Sequence, residues 1–113
     1  MYSYVNNLNK FEGDYSTAVA ANDTKKQIAL QSAIKFNGGG HINHSLFWEN
    51  LAPIKEGGGQ APTSGPLADA IKAHFGGLDG LKAAVNASAL AIQGSGWAWL
   101  VSLNNFDTRF DDH

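Results

Sequence analysis

The sequence predicts a mostly α-helical protein: a succession of amphipathic helices and one strand. Three observations lead there. Apolar residues recur at steps of three and four through most of the chain, which is the spacing of one helical face. All three prolines and a glycine triplet fall in one stretch, residues 52–66, between two helical regions. One short aromatic and β-branched run, Trp97-Ala98-Trp99-Leu100-Val101, has strand character instead.

In the first helical stretch Val5, Leu8, Phe11, Tyr15 and Val19 form a single stripe, and Gly13 is the place where it would kink or split. Asn22-Asp23-Thr24 reads as a break followed by an N-cap. A second helix follows from 25 to 36, with Ile28, Leu30, Ala33, Ile34 and Phe36 as its apolar positions. Asn37-Gly38-Gly39-Gly40 then poses a choice. Each glycine costs about 1 kcal/mol relative to alanine, so local propensity stops the helix there. The alternative is a neighbour packed too closely for any side chain. Helical spacing resumes from His41 to Leu51.

After the loop, Leu67, Ala70, Ile71 and Phe75 mark a third helix, with Gly76-Gly77 as its C-cap. Asp79 is placed to cap a fourth, carrying Leu81, Ala84, Val85, Ala89 and Ile92. Residues 97–101 are the expected strand. A strand needs a partner for its backbone groups, and the chain offers no second convincing one. The stretch 104–113 is polar and acidic and reads as a frayed tail. The loop over 52–66 is the best boundary candidate in the chain.

Composition narrows the function. The 113 residues are a comfortable size for one domain and too short for two ordinary ones. There is no cysteine, so disulfides and thiolate chemistry are excluded. Eight basic against ten acidic residues, with no dense basic run, give nucleic-acid binding no electrostatic support. No apolar run approaches the ~20 residues of a membrane helix. The first residues, Met1 to Asn7, lack the basic flank and apolar core of a targeting signal. This predicts either a cytosolic start or a missing upstream segment.

His41 and His44, three residues apart, are a possible metal half-site, or else surface or capping histidines. Glu49, Glu56, Asp69 and His74 are further donors, but none has a spacing that points at the pair. Trp48, Trp97, Trp99, Phe36 and Phe47 are candidates for the wall of a dry pocket, or simply for core. Gly57-Gly58-Gly59 lacks the context of a phosphate loop, and no serine has a nucleophile elbow.

Three segments add a resemblance. They are Tyr4-Val5-Asn6-Asn7-Leu8-Asn9, then Lys35-Phe36-Asn37-Gly38-Gly39-Gly40-His41-Ile42-Asn43-His44-Ser45-Leu46-Phe47-Trp48, then Gln93-Gly94-Ser95-Gly96-Trp97-Ala98-Trp99-Leu100. Together they resemble the iron/manganese superoxide dismutase family, in order and spacing, from about residue 4 to residue 101. The glycine triplet before His41 resembles the manganese branch. The resemblance implies the N-terminal helical hairpin of that fold, plus the first helices and first strand of its C-terminal α/β domain. It thereby implies a hairpin over 1–52, a linker over 53–66, a partial second domain over 67–103 and a tail over 104–113. It implies a second helix that runs straight through Gly38–Gly40. It also implies an oxidoreductase that turns superoxide into dioxygen and hydrogen peroxide by redox cycling of bound manganese, with iron as the other possibility.

Carried over residue by residue, the resemblance makes His44 a metal ligand and leaves His41 out. Tyr4 matches the tyrosine that gates the substrate channel and joins the hydrogen-bond network around the metal. Trp97, Phe36, Phe47 and Trp48 match the apolar wall. A phenol suits a gate because it both donates and accepts hydrogen bonds. The family's metal takes three histidines and an aspartate. The first histidine belongs upstream of Tyr4, and the other two donors belong to an Asp-x-Trp-Glu-His segment past residue 113. Asp107, Asp111, Asp112 and His113 do not reproduce that segment.

One imidazole does not hold a metal against water, so the expectation is a fragment inactive alone. The alternative expectation is a non-catalytic chain that acts only by joining a full-length subunit. The implied partners are superoxide and further copies in a dimer or tetramer, impaired in this chain, with no nucleic acid and no membrane. The implied location is the mitochondrial matrix, with the cytoplasm as alternative.

Overall fold

The computed structural model describes residues 2–102; the expected tail, 104–113, lies outside them. The first helix, α1, runs Tyr2–Ala20 and is not split at Gly13. Nothing lies within 4 Å of where a Gly13 side chain would sit, and Thr17 Oγ1 donates to the Gly13 carbonyl at 3.0 Å. One glycine costs too little helix propensity to break a helix whose stripe is packed on a neighbour.

α1 ends in a Schellman turn. Asn22 has φ 54°, its N–H donates to the Val19 carbonyl at 3.0 Å, and the Asp23 N–H donates to the Ala18 carbonyl at 2.9 Å. Asparagine is one of the few residues besides glycine that enter this left-handed region readily. Asp23 then starts the next helix, its side chain accepting from the Lys26 N–H at 3.0 Å. One residue therefore closes the first helix and caps the second.

The second helix, α2, spans Thr24–Glu49 and continues through Gly38–Gly40. Local propensity predicted a stop; the family resemblance predicted continuity, and the helix is continuous. Asn37 is buried, at 6% exposure, and its Nδ2 donates to the Ala33 carbonyl at 2.8 Å. Its amide thus bonds within its own helix instead of opening a turn. α1 packs along the glycine stretch, where a Cβ on Gly38 would meet Leu8 Cδ1 at 3.6 Å. Near the turn, Gln27 Nε2 donates to the Ala18 carbonyl at 3.3 Å, and Ala18 is buried.

A 3-10 turn, Ile54–Glu56, follows, closed by Gly57 at φ 87° with its N–H on the Ile54 carbonyl at 3.1 Å. The chain divides into two compact units between Gln60 and Ala61. In the second unit α3 spans Pro66–Phe75. Proline suits the first helical position because its fixed φ is already helical. Asp69 lies in the first turn and Lys72 and His74 in the last, complementing the helix dipole. Gly76, at φ 75°, caps the end with its N–H on the Lys72 carbonyl at 3.0 Å, as the sequence indicates.

α4 spans Leu78–Leu90, shorter than the expected reach to Ile92. Its N-cap is Gly77, at φ 137°, not Asp79, which sits inside the first turn. A carboxylate is favourable there too, through the dipole instead of a cap bond. The expected strand over 97–101 is corrected: these residues have no regular secondary structure, and no strand occurs among the described residues. Strand-forming side chains do not make a strand without a second backbone to complete the ladder.

Candidate functional site

The turn at residues 21–23 folds α1 back on α2, which brings the first turn of one helix to the last third of the other. Phe36, Gly40 and His44 are spaced four apart on α2 and so lie in one row. Tyr4 of α1 packs along that row. Its ring centroid is 6.0 Å from Phe36, tilted 55°, and 5.0 Å from His44, tilted 35°. Both separations are typical of interacting aromatic rings. The two residues nominated as gate and ligand are thus neighbours.

His44 Nδ1 lies 2.7 Å from the Gly40 carbonyl oxygen. A carbonyl only accepts, so Nδ1 carries the proton and the lone pair falls on Nε2. A backbone hydrogen bond of this kind fixes the tautomer and ring orientation that metal-binding imidazoles need. His41 differs. Its Nδ1 is buried and meets no hydrogen-bond partner among the described residues, while its carbonyl accepts from Ser45 Oγ at 2.9 Å. Spacing made the two histidines equivalent; their surroundings do not.

The aromatics divide between the two units. Phe47 and Trp48 pack edge to face, 5.2 Å apart. Phe36 and Trp48 keep 62% and 56% of their surface exposed. Trp97 belongs to the second unit, where it stacks on Trp99 at 5.4 Å and 7°.

The residues do not fit a complete metal centre. Among the described residues no group of three His, Cys, Asp or Glu side chains is placed to hold a metal ion. What the fold provides is one oriented imidazole beside a phenol. No helix among the described residues is long and apolar enough to cross a membrane. Sequence reasoning offered close packing for the Gly38–Gly40 triplet as a whole and did not single out Gly40.

Two family models match in succession. The α-hairpin domain of iron/manganese superoxide dismutases matches residues 1–52, and the C-terminal domain of the same enzymes matches residues 63–110. The chain is similar to the mitochondrial manganese superoxide dismutase of Branchiostoma floridae, 57% identical over 98 residues, covering 87% of this chain and 65% of the relative. It is 55% identical to that of Cryptococcus neoformans over 98 residues, covering 87% of this chain and 44% of the relative. It is 54% identical to mitochondrial manganese superoxide dismutase 2 of Arabidopsis thaliana over 97 residues, covering 86% and 40%. The chain therefore spans about two fifths to two thirds of the length of these relatives.

Proposed function

Because this chain belongs to the iron/manganese superoxide dismutase family, we propose that it serves the conversion of superoxide to dioxygen and hydrogen peroxide. In this reading His44 is one imidazole donor to manganese, through Nε2. Tyr4 is the gate, its phenol able to give and take a hydrogen bond beside that donor. Phe36, Phe47 and Trp48 supply apolar wall residues from the first unit. The observation that carries the reading is the contact of Tyr4 with His44 while the His44 Nδ1 proton is held by the Gly40 carbonyl. Manganese is preferred to iron because the relatives are named as manganese enzymes. Their names also support a mitochondrial site of action, and assembly with further copies belongs to the same proposal.

A single oriented imidazole is not a metal site. We therefore expect the 113 residues alone to retain no stoichiometric manganese or iron after desalting and to show no dismutase activity. Stoichiometric metal in the desalted chain overturns that statement. The wider reading is tested on the native polypeptide that contains these residues, captured by antibody and assayed for metal and superoxide consumption. Manganese-dependent activity that falls at least a hundredfold with His44→Ala is the expected result. A native polypeptide without metal or activity would instead favour a non-catalytic chain that acts by association with a full-length subunit.

A further inference from the structure

We propose that Gly40 is the positioning residue that seats the Tyr4 phenol against the His44 imidazole. The inference rests on the reading of Tyr4 and His44 as gate and ligand, and it assigns a third residue to their geometry. A Cβ built on Gly40 would lie 2.6 Å from both Cδ1 and Cε1 of Tyr4 and 3.1 Å from its Cγ. These distances are far inside ordinary contact, so the Tyr4 ring rests on the bare backbone of α2. Gly40 lies within the helix and is not among the glycines with positive φ. Space, not backbone conformation, is what demands glycine here.

The neighbouring glycines do not share that demand. A Cβ on Gly39 would meet nothing within 4 Å, and one on Gly38 would make an ordinary contact with Leu8 at 3.6 Å. Gly40 also sits midway between the two rings that Tyr4 touches, one turn after Phe36 and one turn before His44. The missing side chain is a gap in the row into which the phenol settles. The same residue's carbonyl holds His44 Nδ1 at 2.7 Å. One residue thus fixes the ligand's tautomer with its oxygen and the gate's position with its absent Cβ. A methyl group at 40 must lift the phenol away from the imidazole while leaving the Gly40 carbonyl, and hence the His44 tautomer, in place.

The test reads ring geometry by NMR in the metal-free 113-residue chain, below the concentration at which it associates. It is therefore independent of whether the chain is a dismutase. In Gly40→Ala we expect the Tyr4–His44 ring cross-peaks to fall severalfold, with helical circular dichroism unchanged and His44 Nδ1 still protonated. Gly39→Ala should retain those cross-peaks at full intensity. Full cross-peaks in Gly40→Ala, or an equal loss in Gly39→Ala, would overturn the proposal. If Gly40→Ala does not fold, adding Tyr4→Ala decides the matter. Recovery of folding in the double variant supports a Tyr4–Gly40 contact as the sole obstacle, and failure to recover refutes it.

Discussion

Asn22 holds φ 54° between the two long helices, a conformation that costs an ordinary L-residue about 1–2 kcal/mol and glycine almost nothing. Asn22→Ala is expected to lower stability by about 1 kcal/mol, and Asn22→Gly to leave it equal or slightly raised, as read by thermal unfolding. The adjacent Asp23→Ala removes the acceptor for the Lys26 N–H and should lower stability by a further ~1 kcal/mol in the same assay. A break and a cap within Asn22-Asp23-Thr24 were legible in the sequence because capping is local chemistry between residues three apart. The cap is Asp23, with the helix starting at Thr24, one residue before the expected start at 25. The difference between His41 and His44 was not legible from spacing. It arises from where each Nδ1 points and what α1 brings beside it, and only a resemblance singled out His44 in advance.

At the scale of the element, α1 carries two testable features. Gly13 has open space where a side chain would be and a helical backbone, so Gly13→Ala should raise stability by about 1 kcal/mol. A fall in melting temperature would mean that the glycine is doing something other than interrupting a helix. One turn around it, Lys10 Nζ donates to Asp14 Oδ2 at 2.8 Å. That hydrogen bond, with Lys10's charge, holds the Asp14 carboxyl below its ordinary range. A lowered folded value contributes stability above the ordinary aspartate value and loses it as pH falls through the folded value. The pair is exposed, so the effect on unfolding is small. Lys10→Gln should raise Asp14 titration toward the ordinary range, with Lys26 still holding it slightly down, followed by the side-chain carboxyl NMR signal, with little change in melting temperature at neutral pH. The amphipathic stripe made α1 readable in advance. α2 was readable by propensity only as far as Phe36, because what carries it through three glycines is the packing of Tyr4 and Leu8 from another helix, which no local rule contains. The run at 97–101 fails for the opposite reason: its side chains favour a strand, but a ladder is a property of two backbones.

At the scale of the whole molecule, burial sets the expectation. A chain of this length normally buries roughly two thirds of the surface it exposes when unfolded. Here the buried apolar residues among those described are Ala18 at 2% and Ile71 at 7%, one in each unit. Large apolar side chains stand in solvent on α2: Ile28 at 64%, Phe36 at 62%, Ile42 at 60% and Trp48 at 56%. Ile42 and Leu46 lie one turn apart on one line of the helix, and Ile28 lies farther along it, beyond Ser32 and Lys35. Apolar surface so exposed on a separate chain drives association. In sedimentation the 113-residue chain should show an apparent mass that rises with concentration, and it should bind an apolar dye such as ANS. Ile28→Lys with Ile42→Lys should reduce both signals while leaving the helical circular dichroism intact, because both positions point to solvent and lysine is a good helix former. A chain that stays monomeric and dye-free as concentration rises would show that these apolar faces are covered in solution in a way the two units do not display.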